Sequence, residues 1–214
     1  MNAQVSPSKP LPTALLPQSV PHPARRHLVG DYPLDDAAVA RFNLLLARLS
    51  HAPLDPDQLA TAARELPRPK DAGRAPRCIE QRLRRATSVG LMIADPAWEP
   101  ANEAVEPAAL VLDYLRSRQD LIPDDLPRIG RLDDAIIVDA AWPRLADEVS
   151  SYLDYCRIRR IEAELRHCEV SQFTFSRADW EQARRAEAAW IEHCRTSGER
   201  SYLPSAPPSH FRVC

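Results

Sequence analysis

The 214-residue chain is poor in glycine (5), poor in aromatic residues (6%) and without an excess of either charge, with 28 Lys and Arg against 30 Asp and Glu. So few glycines leave no Gly-rich loop to cradle phosphates, and no Gly-x-Ser-x-Gly elbow is present. Both a nucleotide enzyme and a serine hydrolase are therefore disfavoured. Balanced charge supplies no net field to concentrate nucleic acid or an anionic membrane. No run approaches the roughly 18 consecutive apolar residues of a membrane span. Nor does the N-terminus show a charged start followed by a continuous apolar stretch, so no signal peptide is expected. Cysteines 78, 156, 168, 194 and 214 are odd in number and never spaced Cys-x-x-Cys. This usage reads as reduced, mostly buried thiols of a cytoplasmic protein.

What the chain has in abundance is proline (21), much of it at the two ends. Residues 1–33 carry seven prolines with no period of 2 or 3.6, and are expected to form a disordered arm; residues 199–214 read the same way. Such tails can dock in a groove, but an unstructured terminus is the commoner case. Between them the pattern is helical. A helical hairpin is expected over 34–67, where Asp35 or Asp36 caps a stripe of Val39, Phe42, Leu46 and Leu49, and Asp55-Pro56-Asp57-Gln58 starts a second helix. A polar connector, 67–77, leads to a core over 76–142. There the expected helices are Pro76–Ser88, ended by Gly90, and Pro107–Arg118, preceded by a loop over 94–107. C-terminal helices fill 143–197: one beginning at Pro143 and one behind a capping box at Ser176 and Asp179. Only residues 170–175 could form a strand. The expected fold is all-α, an array of six or seven helices.

Residues 120–134 hold the densest cluster of possible chemistry: Asp120, Pro123, Asp124, Asp125, Pro127, Gly130, Asp133 and Asp134. The prolines forbid helix, Gly130 is expected to supply a positive φ, and Asp133 and Asp134 are expected to cap the helix that follows. The run from Tyr114 to Ala141 resembles the signature of the YkvA-like family, a small bacterial helical domain of unknown function. Asp120, Leu121, Ile122, Pro123, Asp124, Pro127, Gly130, Leu132, Asp133 and Asp134 fall on that pattern with its spacing, within residues 76–142. Some members look membrane-associated, but Arg116, Arg118 and Gln119 are polar where apolar residues often precede the first Asp. Membrane association is not expected here.

Three chemistries compete with a purely structural role. Asp120, Asp124, Asp133 and Asp134 could converge on a divalent metal, though their spacing lacks the alternation and terminal Glu of an EF-hand. Glu164-x-x-His167 appears once, whereas a di-iron bundle needs it twice; His167-Cys168 and His193-Cys194 are adjacent pairs that a helix would splay about 100° apart. Arginine runs at 25–26, 82–85, 157–160 and 184–185 suggest weak nucleic-acid binding, but lie beside acids on outer helix faces. No cofactor and no catalytic set are expected. The reading adopted is a non-catalytic interaction or adaptor protein with an unidentified protein partner, its alternatives being a metal-binding protein or metal-dependent enzyme using the Asp-rich turn, then a nucleic-acid binder.

Overall fold

The structure, a computed structural model, describes residues 9–16, 28–66, 75–117 and 119–199. The fold is all-α: among the described residues there are six helices and a single two-stranded hairpin. The chain divides into two compact units, residues 1–153 and 154–214, and the longest helix runs through the division.

In the first unit, α1 (Asp36–Arg48) starts where the Asp35 carboxylate accepts the Ala38 N–H at 3.0 Å, and it buries Val39, Phe42 and Leu46 at helical spacing. Its end is pinned by Asn43, which both donates to the Leu54 carbonyl (3.0 Å) and accepts the Leu54 N–H (2.8 Å). Helix α2 (Pro56–Glu65) opens with the capping box expected from Asp55 and Gln58. The strands β1 (Leu28–Val29) and β2 (Tyr32–Pro33) turn around Gly30 at φ 64°, and β1 packs on α2 with Val29 wholly buried. A single 3-10 turn, Thr13–Leu15, also lies on α2 and buries Ala14 and Leu15. The expectation of a disordered arm over 1–33 is thus corrected for 9–16 and 28–33. Those residues lack periodicity because their order comes from a helix distant in sequence. The remainder of the arm lies outside the described residues.

Helix boundaries also differ from expectation. Helix α3 (Arg77–Ala94) continues through Gly90, which terminates nothing, and α4 (Asn102–Arg116) begins before Pro107 rather than at it. Helix α5 (Leu132–Leu165) passes straight through Pro143, so the expected break at 142/143 is absent. A proline there withholds an N–H from the Asp139 carbonyl and costs about 3 kcal/mol or more. Burial on both sides offsets this: residues 132–138 are buried all round, and Ala141, Leu145 and Val149 continue inward. Each such side chain contributes about 1.5–3 kcal/mol where it is a large aliphatic. A helical segment buried on every side, as 132–138 is, lies centrally in its unit. The neighbours of α5 touch it through polar tips as well as apolar bodies: Trp98 Nε1 donates to Glu148 (3.0 Å), the Tyr152 hydroxyl donates to the Leu91 carbonyl (3.2 Å), and Arg82 donates to Asp139 (3.0 Å).

The second unit comprises the end of α5, a turn region over 166–176 and α6 (Arg177–Glu199). Tyr155 is fully buried, stacks on Phe175 with ring centroids 5.7 Å apart, and donates its hydroxyl to the Phe175 carbonyl at 2.9 Å. Residues 170–175 form turns and extended chain, not a strand. Ser176 and Asp179 form the anticipated reciprocal cap, and Trp180 Nε1 donates to Asp154 at 2.9 Å. Beyond this anchor α6 is largely exposed, including Trp190 and Ile191. Cys168 and Cys194 are exposed as well, which corrects the expectation of mostly buried thiols; Cys78 alone of the four described cysteines is buried.

Candidate functional site

The aspartate-rich turn is a loop closed on itself and on two helices. Ser117 Oγ accepts the Gln119 N–H (2.9 Å), the Leu126 N–H donates to the Pro123 carbonyl (3.1 Å), and the Gly130 N–H donates to the Leu126 carbonyl (2.9 Å). The left-handed residue of this turn is Arg128, at φ 72°, and not Gly130. Glycine is required at 130 for another reason. A Cβ built there would lie 2.5 Å from the Asp124 carbonyl oxygen and 2.7 Å from that of Pro123, so any side chain would collide with backbone. The expected positive φ at Gly130 is corrected to a close approach of two chain segments.

Asp133 holds the centre of the turn. Its Oδ2 accepts the Tyr114 hydroxyl at 2.6 Å, the Leu121 N–H at 3.0 Å and the Ile122 N–H at 3.1 Å. It was expected to cap its own helix, and serves chiefly the preceding loop and α4 instead. The residue is wholly buried, and its Oδ1 has no hydrogen-bond partner among the described residues. Burial pushes its pKa up to about 7, against the pull of the Tyr114 hydroxyl, which favours the ionised form. The Tyr114 hydroxyl is raised in turn, first by burial and then by the Asp133 charge. Asp134 is also buried, and its pKa rises to about 6 for the same reason, although Arg131 opposes the rise with a 2.9 Å ion pair. Asp120 is shifted upward by burial and by the nearby Asp124.

Asp120, Asp124 and Asp134 thus feel one another, but the positive charge among them is a guanidinium. Arg131 reaches Asp134 at 2.9 Å and Asp124 at 3.6 Å. Asp133 is drawn away to serve three donors. Among the described residues no three His, Cys, Asp or Glu side chains are placed to hold a metal ion. Pro123 and Pro127 shape the turn without contributing a ligand. Of the arginine runs, Arg82 is buried against Asp139, Arg85 lies over the Trp142 ring at 4.3 Å, and Arg84, Arg157, Arg184 and Arg185 each reach a carboxylate. Arg25 and Arg26 lie outside the described residues.

A groove of about 280 Å³ opens where α1, α4 and this loop meet. Phe42, Leu45, Leu110, Tyr114 and Leu121 give it an apolar lining, and Arg41, Arg48 and Asp113 stand at its rim. Phe42 and Tyr114 meet edge to face at 5.7 Å. Asp133 therefore fixes both one wall, through Tyr114, and another, through the Leu121 amide. Leu44 lies between Arg41 and Arg48 on α1 and is 70% exposed. Arg48 and Arg144 share the single Glu106 carboxylate, at 3.4 and 3.5 Å. None of Arg41, Leu44, Tyr114 or Arg131 stood out as a site residue in the sequence. The i, i+3, i+7 spacing of Arg41, Leu44 and Arg48 was the available signal, since an exposed leucine between two cations interrupts a solvated face. Comparison with known proteins returned nothing: no family model, no curated protein and no solved structure matches this chain.

Proposed function

We propose that the chain is a non-catalytic interaction protein of the cytoplasm, YkvA-like in its aspartate-rich turn, that receives an acidic amphipathic segment of a partner protein in the groove between α1 and α4. The observation that carries this reading is Leu45, which lines an apolar groove with Arg41 and Arg48 on the same stretch of α1. An apolar anchor flanked by cations suits a helix or turn with one apolar face and carboxylates at its edges. Two guanidinium groups on one Glu106 leave positive charge free to accept a partner carboxylate. The two apolar walls are held by Asp133 before any partner arrives, which limits the ordering cost of binding.

Affinity capture by the full chain from its native lysate tests this reading against three variants. Leu45→Asp and Arg41→Glu should each lose a stoichiometric, acidic partner that Ile191→Asp, on exposed α6, retains. A partner held equally by both groove variants and released by Ile191→Asp would place the interaction elsewhere.

A further inference from the structure

The N-terminal segment 9–16 is held by side chains that read its main chain. The Lys9 N–H donates to Gln81 Oε1 at 2.8 Å, and the Lys9 carbonyl accepts from Arg82 Nη1. Arg82 is 3% exposed and already fixed: Nε and Nη2 reach Asp139 at 3.0 and 2.9 Å, and Nη1 also donates to the Cys78 carbonyl at 3.2 Å. At the far end of the segment the Glu65 carboxylate accepts the Ala14 N–H and the Thr13 hydroxyl, both at 3.4 Å, and Gln58 Nε2 donates to the Ala14 carbonyl at 3.3 Å. Pro12 (φ −50°, ψ 139°) and Leu16 (φ −74°, ψ 144°) are extended on either side of the single turn. Ala14 and Leu15 are buried, while Lys9, Pro10, Thr13 and Leu16 are exposed.

Two features mark this segment as a ligand more than as core. Lys9 and Ala14 are each held through both their backbone N–H and their carbonyl, the mode by which peptides are recognised independently of most side chains. The buried charge of the receiving surface is also satisfied without it, because Arg82 keeps Asp139 and the Cys78 carbonyl when Lys9 leaves. We propose that the α2–α3 surface is a peptide-binding groove for an extended, proline-containing segment, and that residues 9–16 are its tethered ligand. The covalent link places this ligand at an effective concentration on the order of millimolar, so it excludes a free competitor until it is displaced. The groove shares no residue with the one between α1 and α4.

The test uses the full-length chain and a fluorescein-labelled peptide with the sequence of residues 8–17, followed by anisotropy. Leu15→Asp evicts the segment by charging its buried anchor, and Lys9→Pro removes the N–H read by Gln81 at an exposed position. Both variants should bind the peptide more tightly than the wild type, whose own segment competes: Leu15→Asp by at least about tenfold, Lys9→Pro by about twofold or more. Adding Gln81→Ala to either variant should weaken binding by about twofold or more, in line with one lost solvent-facing hydrogen bond. The proposal fails if folded variants bind no peptide, if the wild type binds it equally, or if Gln81→Ala changes nothing. It fails too if both variants lose cooperative thermal unfolding, since the segment would then be core.

Discussion

Asp133 and Asp179 both stand in the first turn of a helix, and they do opposite work. Asp179 serves its own chain neighbour: its Oδ2 accepts the Ser176 N–H at 2.8 Å and the Ser176 hydroxyl at 2.7 Å, and these bonds hold its pKa below the ordinary carboxylate range. Asp133 accepts donors 11, 12 and 19 residues away, is wholly buried, and has its pKa raised to about 7. A carboxylate that closes a helix start in solvent tunes a local equilibrium. One that holds a loop and a tyrosine inside the protein is part of the fold's architecture, and here also of a groove wall.

The sharpest way to break this contrast is Asp133→Ala. It leaves the Tyr114 hydroxyl and the Leu121 and Ile122 amides without their acceptor, and should cost about 2–4 kcal/mol in urea unfolding of the full chain. A loss below that of an ordinary surface substitution would mean the loop does not depend on this carboxylate.

A smaller effect is expected from pH. The folded state holds protons on Asp133 and Asp134, at about 7 and about 6, that the unfolded chain has released near 4. Stability from this source is complete below about pH 4 and is lost as pH rises through those folded values, at up to about 1.4 kcal/mol per unit of separation. The urea midpoint should therefore fall from pH 5 to pH 8, and Asp133→Asn should flatten the fall. A midpoint that rises over this interval would reverse the assigned direction.

The smallest effect belongs to Asp179→Ala. Loss of this solvent-facing cap should cost about 1 kcal/mol or less. It should register as faster hydrogen exchange in the first turn of α6, with amides of 119–134 unchanged. Equal acceleration in both regions would erase the distinction between the two aspartates.

The difference in legibility follows from the same contrast. The caps at Asp35, Asp55 and Asp179 were readable because donor and acceptor lie within three residues, where backbone geometry alone brings them together. The helix starts placed at Pro107 and Pro143 were not, because burial of the residues on either side outweighs the cost of a missing N–H. Gly130 was marked in the sequence for the wrong reason: glycine signals both a positive φ and a close approach, and only the neighbouring backbone of Pro123 and Asp124 tells which. Arg131 was not singled out at all, although its guanidinium lies against Asp124 and Asp134, two of the four carboxylates, Asp120, Asp124, Asp133 and Asp134, considered for a metal.

Composition and periodicity by themselves determined an all-α chain, the caps of its helices and the irregular turn between Asp120 and Asp134. Packing decided which donors Asp133 accepts, why position 130 has no side chain, and that residues 9–16 lie on α2 and α3. The physical reason is range. A cap is set by torsion angles of adjacent residues, whereas a bond across 12 residues or a peptide seated 72 residues from its acceptor exists only once helices have been brought together by burying their apolar faces.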